Sequence, residues 1–158
     1  MHLHTLTQES PDWAYWAKEI ASIDWAAGAY LAKKMTTTKF LPWERVIVAE
    51  DGDRLVGCCA LLAKDIVENT TATPFISTVY VVPDYRGHHI SQQLVIRAER
   101  EAEAAHFKST FIVTERMGLY EKLGYSEFTR EPDIFGREMR LLARSFPKDD
   151  PFGHSPNG

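Results

Sequence analysis

The chain has 158 residues, 44% of them hydrophobic, and a formal net charge of -4. That length suits one domain with a packed core, and that composition excludes wholesale disorder. The acidic balance gives no clustered basic face for nucleic acid, and no apolar run approaches the roughly 20 residues of a membrane span.

The N-terminal MHLHTLTQESPDW lacks the basic start and apolar core of a signal peptide, which favours the cytoplasm. His2 to Thr7 alternates weakly, as in a short first strand. Ser10-Pro11-Asp12 reads as a helix start: serine as N-cap, proline at the first helical position, then an acid near the positive end of the dipole. Trp13, Trp16, Ala17 and Ile20 follow at helical spacing. A second start has Asp24 as cap, with Trp25, Ala27, Ala29, Tyr30 and Leu31 behind it and Lys33 and Lys34 at the C-terminal end. The expected helices span 11–21 and 24–35.

Val46 to Glu50 and Leu55 to Ala63 are apolar runs joined by Asp51-Gly52-Asp53, a hairpin signal. Cys58 and Cys59 lie in the second run. Neighbours on a strand point to opposite faces, so these read as small strand residues rather than a disulfide or metal pair. Thr73 to Val82 is β-branched and apolar on both faces, as in a central strand, and Pro83 ends it. From His89 to Ala105 the pattern is helical, with Ile90, Leu94, Ala98, Ala102 and Ala105 on one face and Arg97, Arg100, Glu101 and Glu103 facing water.

Ser109 to Val113 is another short buried strand. GLYEKLGY is one or two helical turns closed by Gly124, and YSEFTRE and REMRLLARSF are strand-like. The last twelve residues are polar, with proline and glycine, and read as a flexible tail. The expected organisation is a single domain over 1–146 and a tail over 147–158. The strand–helix–strand unit around Val79–Val113 implies parallel neighbours within a mixed sheet, since its helix is a crossover.

The stretch VYVVPDYRGHHISQQL runs from the central strand through a turn into a helix. A helix N-terminus has unpaired N–H groups and a partial positive charge, so it is a ready anion site. Arg86 adds a formal charge at the mouth, and a diphosphate is the natural guest. Adjacent histidines on a helix start diverge by about 100°, which argues against His88 and His89 chelating one ion. Surface histidines without a role remain the plain alternative.

This stretch resembles the coenzyme-binding motif of the GNAT superfamily of acyl-CoA-dependent N-acyltransferases, through Val81, Pro83, Tyr85, Arg86, Gly87, Ile90 and Leu94. Downstream, GLYEKLGYSEF resembles that family's second motif, through Tyr120, Lys122, Gly124 and Tyr125. His89 and Ser91 stand where the family usually has glycines, which let the backbone approach the pyrophosphate without a Cβ in the way.

The resemblance implies an α/β (α+β) fold: a mixed, mostly antiparallel sheet of about six to seven strands with a parallel central pair, flanked by about four helices. It implies acetyl-CoA as co-substrate, no metal, and transfer of an acetyl group to a primary amine. The backbone of Val79 and Val81 and the turn residues Arg86, Gly87, His88, His89, Ile90, Ser91 and Gln92 would hold the coenzyme. Tyr120 would be the general acid, against the alternative of a packing aromatic. The glutamate that many members carry on the central strand is absent from PFISTVYVV. Ser77 and Thr78 could hold a water, and Glu115 is a substitute base or simply a solvated residue.

The acceptor groove would be built from the Trp13–Trp43 region, with Trp25, Tyr30, Phe40 and Trp43 as aromatic walls, and from the chain around Glu131 to Phe135. A small-molecule amine is the favoured acceptor, with a peptide amine as the other; the oligomeric state, a homodimer included, stays open. A domain of the same fold that binds acyl-CoA without catalysis is the alternative function.

Overall fold

The computed structural model describes residues 1–147. The expected tail, from residue 148 onward, lies outside the described residues. Among the described residues, seven strands form one sheet in the order β1-β2-β3-β4-β5-β7-β6. They are β1 (His2–Leu6), β2 (Arg45–Asp51), β3 (Arg54–Leu62), β4 (Phe75–Val81), β5 (Ser109–Thr114), β6 (Ser126–Pro132) and β7 (Glu138–Ser145). Only β4 and β5 run parallel; every other neighbouring pair is antiparallel.

Among the described residues, three α-helices flank the sheet: α1 (Trp13–Ala21), α2 (Ala26–Thr37) and α3 (Ile90–Ala104). The expected fourth is a 3-10 turn over Glu121–Leu123, stopped by Gly124 at φ 95°. No helix among the described residues is long and apolar enough to cross a membrane.

The hairpin forms because Gly52 and Asp53 both take positive φ, 56° and 65°, as a twisted two-residue turn requires. The layers follow from strand alternation. Val46, Val48, Cys58, Ala60 and Leu62 face α1 and α2, with Trp16, Ile20, Leu31 and Met35 packed on them. Ile47, Ala49, Cys59, Leu61 and Ile76 face α3, whose Ile90, Leu94, Ala98 and Ala102 supply the expected apolar stripe. Cys58 and Cys59 thus lie in different layers, as alternation requires, and both are buried free thiols.

Two helix readings differ from expectation. α1 begins at Trp13, after an N-cap at Asp12; the Ser10 hydroxyl instead accepts from Thr7 N–H at 3.0 Å. Trp25, not Asp24, caps α2, and the buried face is Gly28, Leu31, Ala32 and Met35, while Trp25, Ala29 and Tyr30 are exposed. The i, i+4 pair of Leu31 and Met35 sets that face, and Gly28 lets α2 close on α1, where a Cβ would lie 3.3 Å from the Ile20 carbonyl.

Candidate active site

The central parallel pair barely pairs. Phe75 opposes Phe111, Phe111 N–H donates to Pro74 O at 3.0 Å, and beyond that point β4 and β5 part. The cause lies in β4. Its register with β3 jumps from Ser77, opposite Ala60, to Tyr80, opposite Cys58, so Thr78 and Val79 bulge against one residue. Thr78 takes φ 56°, an outlier for a β-branched residue. Ser77 to Tyr80 are consequently only partly buried, where continuous burial was expected of a central strand.

Val82 N–H donates to Val56 O at 2.9 Å. Alternation therefore turns the polar backbone of Val81 and Val79 to the other edge, into the gap that β5 has left.

The chain leaves β4 through a 3-10 turn over Pro83–Tyr85 and enters α3 at Ile90. Tyr85 OH donates to Asp51 Oδ2 at 2.5 Å and pins this turn to the hairpin. Gly87 takes φ 86° and His89 takes φ 61°, ψ 22°. The glycine expected in place of His89 thus has a conformational reason beside the steric one, and histidine is among the residues that tolerate it best.

The side chains of His88 and His89 are exposed, and His89 makes no capping bond. The first α3 bond runs from Gln93 N–H to His89 O at 3.1 Å. Among the described residues, the N–H groups from Gly87 to Gln92 have no acceptor, so a continuous run of donors opens to solvent at the helix start. Ile90 holds this run to the core by its buried side chain, Ser91 is half-buried, and Gln92 is exposed.

Arg86 is placed differently from a free charge at the mouth. Its Nε donates to Val81 O at 2.9 Å and its guanidinium lies 5.7 Å from the Tyr80 ring centroid. Of the Val81 backbone, the N–H is left for another partner.

Tyr120 follows β5 on the side where the two strands have parted, and packs edge-on to Tyr125 at 6.3 Å. It is buried, yet its hydroxyl has no hydrogen-bond partner among the described residues and is not sealed from solvent. Burial pushes its phenol up to about 12; the Arg116 charge pulls the other way, and Cys59 and Asp65 add to the rise. The group is therefore fully protonated at neutral pH, as a proton donor must be.

Arg140, itself buried, fixes the segment carrying Tyr120: it donates to Glu121, Glu127 and the carbonyl of Arg116. Tyr125 is structural, donating to Glu99 Oε2 at 2.7 Å and sharing a 2.7 Å bond with Thr110.

On the α1–α2 face of β4 lies a pocket of about 260 Å³, lined by Tyr30, Lys34, Asp65, Glu68, Ser77, Thr78 and Ile134 among others. Of the aromatic walls expected from sequence, only Tyr30 lines it. Trp25 stacks on Tyr80 at 5.5 Å, and Tyr80 lines a different hollow; Phe40 packs against Trp13 in the core, and Trp43 packs against Phe107. Ile134 comes from the expected Glu131–Phe135 segment. Glu115 is exposed and makes no hydrogen bond or ion pair among the described residues. Asp65 went unnoticed in the sequence because a lone aspartate in a loop carries no spacing signal.

The overall arrangement matches solved structures. An aminoglycoside 6'-N-acetyltransferase complexed with coenzyme A superposes with a TM-score of 0.69 at 16% identity, over 95% of this chain and 100% of that one. The aminoglycoside 6'-N-acetyltransferase from Enterococcus faecium gives 0.69 at 17%, over 95% and 100%. A GNAT family acetyltransferase from Elizabethkingia anophelis with acetyl-CoA bound gives 0.65 at 17%, over 92% and 97%. These likenesses establish the fold. No curated protein matches the chain by sequence. The family model described as Acetyltransferase (GNAT) domain matches residues 42–127, from just before β2 to the start of β6. That match spans more than half of the sequence and contains the whole β4–α3 turn and Tyr120, and the chain belongs to the GNAT acetyltransferase family.

Proposed function

We propose that this protein transfers the acetyl group of acetyl-CoA to a primary amine of a small molecule, by direct attack of the amine with Tyr120 as general acid. The observation that carries the reading is the donor run from Gly87 to Gln92, without acceptors among the described residues, at the start of the helix that follows a strand whose free edge faces an open gap. A diphosphate on those donors directs the pantetheine arm along β4, where the N–H groups of Val79 and Val81 meet its amides. The thioester then enters the gap beside Tyr120. The free backbone N–H groups of β4 polarise its carbonyl as charge develops.

The departing sulfur takes the Tyr120 proton. The acceptor enters from the other side, through the pocket between α2 and the loop that joins β3 to β4. Asp65 and Glu68 there, with Glu19 and Asp24 in a neighbouring hollow of about 290 Å³, suit a cationic amine. The acceptors of the aminoglycoside acetyltransferases that share this fold are of that kind. The described residues form a single domain in this reading, working in the cytoplasm.

The test is release of free thiol from acetyl-CoA, followed with a thiol reagent, against an aminoglycoside, a polyamine, an amino sugar and lysine. At least one amine is expected to accelerate release, and Tyr120→Phe to lower kcat by about 10²–10⁴-fold. Unchanged turnover in that variant removes Tyr120 as the acid.

A further inference from the structure

We infer that Asp65 is the proton acceptor for the attacking amine, a role that no carboxylate on β4 can fill in this chain. The inference rests on the acyl-transfer reading above and assigns a catalytic residue within it.

Asp65 sits in the loop leaving β3, half-buried at the wall of the pocket described above. Its Oδ1 accepts the Ile66 N–H at 2.7 Å. The Ser77 hydroxyl is the carboxylate's side-chain hydrogen-bonding neighbour across the pocket, and the carboxylate has no ion pair among the described residues. Beside it, on β4, Ser77 Oγ and Thr78 Oγ1 lie 3.1 Å apart and line the same pocket. A carboxylate oxygen next to two hydroxyls is a seat for an amine or for one bridging water.

The loop carrying Asp65 is held from both ends. Thr73 Oγ1 donates to Ala63 O at 2.9 Å, Ile134 N–H donates to Ile66 O at 2.7 Å, and Asn69 Nδ2 donates to Glu131 Oε2 at 3.1 Å.

The electrostatics fit the task. Burial pushes the Asp65 carboxyl above its ordinary range, while the Ile66 N–H, the Ser77 hydroxyl and the Lys34 charge oppose the rise. The other charged or titratable groups lining the pocket are Tyr30 and Lys34 on α2 and Lys64 and Glu68 on the loop; the β6–β7 hairpin contributes the uncharged Ile134. Asp133 of that hairpin is already engaged by Arg137 at 2.8 Å. The Asp65 charge also reaches Tyr120 and helps keep its phenol protonated. Asp65 lines the same pocket as Thr78 of the β4 bulge, and Tyr120 packs in the core layer on the α3 side of the sheet.

The protons balance as follows. An entering ammonium loses one proton to solvent through Asp65. The nitrogen lone pair forms the C–N bond, and its second proton passes to Asp65. The C–S bond breaks with its electron pair on sulfur, and sulfur takes the Tyr120 proton. Transfer through water from Asp65 to Tyr120 restores both groups, leaving amide and free coenzyme thiol.

The decisive comparison is Asp65→Asn and Asp65→Glu against the wild type, using the fastest amine of the panel. Asp65→Asn is expected to lower kcat about 10²–10⁴-fold and to abolish the acidic limb of the pH profile, with acetyl-CoA KM unchanged. Asp65→Glu is expected to recover part of the rate. A folded-state pKa above the unfolded one means stability is present below the ordinary aspartate range and lost as pH rises through the folded value. The ionised group therefore costs stability at neutral pH, and Asp65→Asn holds or raises Tm.

Turnover within about threefold of wild type with the acidic limb intact overturns the assignment. So does a fall in Tm with rates unchanged per folded molecule. Acetyl-CoA binding without thiol release from the wild type, for any amine, refutes the acyl-transfer reading and this assignment with it.

Discussion

Gly57 is where one methyl group tests how β3, β4 and α3 meet. It opposes Val81 across the β3–β4 ladder. A Cβ on Gly57 would lie 2.9 Å from the Tyr80 carbonyl oxygen, 3.2 Å from Leu94 Cδ1 and 3.4 Å from Ile90 Cγ2. The first of these is backbone and cannot swing aside. Overpacking of this kind costs about 1–3 kcal/mol. Alanine's smaller unfolded-state entropy returns about 0.5–1 kcal/mol, so Gly57→Ala is expected to lose about 1–2 kcal/mol.

At this chain length each kcal/mol is roughly 2–4 °C, so calorimetry should show Tm falling by about 2–8 °C. The displaced atoms belong to the end of β4 and the first turn of α3, which together frame the donor run. Acetyl-CoA affinity should therefore fall about tenfold, equivalent to about 1.4 kcal/mol. An unchanged Tm together with an unchanged acetyl-CoA affinity would refute the packing argument.

Three other perturbations probe separate parts of the account. His89→Gly removes the left-handed penalty of about 1–2 kcal/mol and returns roughly half to unfolded-chain entropy, so Tm should rise by about 1–4 °C. His89→Ala keeps φ near 61° with a Cβ, and an equal gain from both variants would contradict the strain. Tyr120 has its folded pKa raised from 10.0 to about 12, so its contribution to stability is full below pH 10 and lost as pH rises toward 12. Tyr120→Phe should flatten that part of the alkaline unfolding profile, and an unchanged slope would contradict the burial. Arg140 holds the carboxyls of Glu121 and Glu127 below the usual carboxylate range, chiefly by hydrogen bonding. That stability is present above pH 4.5 and lost as pH falls through the folded values, so Arg140→Met should weaken the acid dependence of Tm and lower kcat through the Tyr120 segment.

How much could be read in advance depended on whether the physics was local. The hairpin was legible because Gly52 and Asp53 satisfy their own turn. The opposite faces of Cys58 and Cys59 were legible because alternation is a property of any strand. The turn after β4 was legible because Pro83, Gly87 and the apolar period of α3 all mark boundaries. The face of α2 was not, since an alanine-rich helix gives little contrast, and Trp25 and Tyr30 are exposed. Thr78 carries no sign of a bulge, because threonine is ordinarily a good strand residue. Gly57 did carry one: an isolated glycine within a strand marks close backbone approach. Asp65 meets Ser77 across the pocket from a loop tied to the β6–β7 hairpin, a contact between residues far apart in the chain.

The central claim is that the donor run at the start of α3 and the open edge of β4 hold acetyl-CoA. Thermal unfolding with and without acetyl-CoA tests it most directly. At 100 times Kd the ligand should add about 2.7 kcal/mol, a rise in Tm of about 5–11 °C. No rise at millimolar acetyl-CoA would contradict the claim.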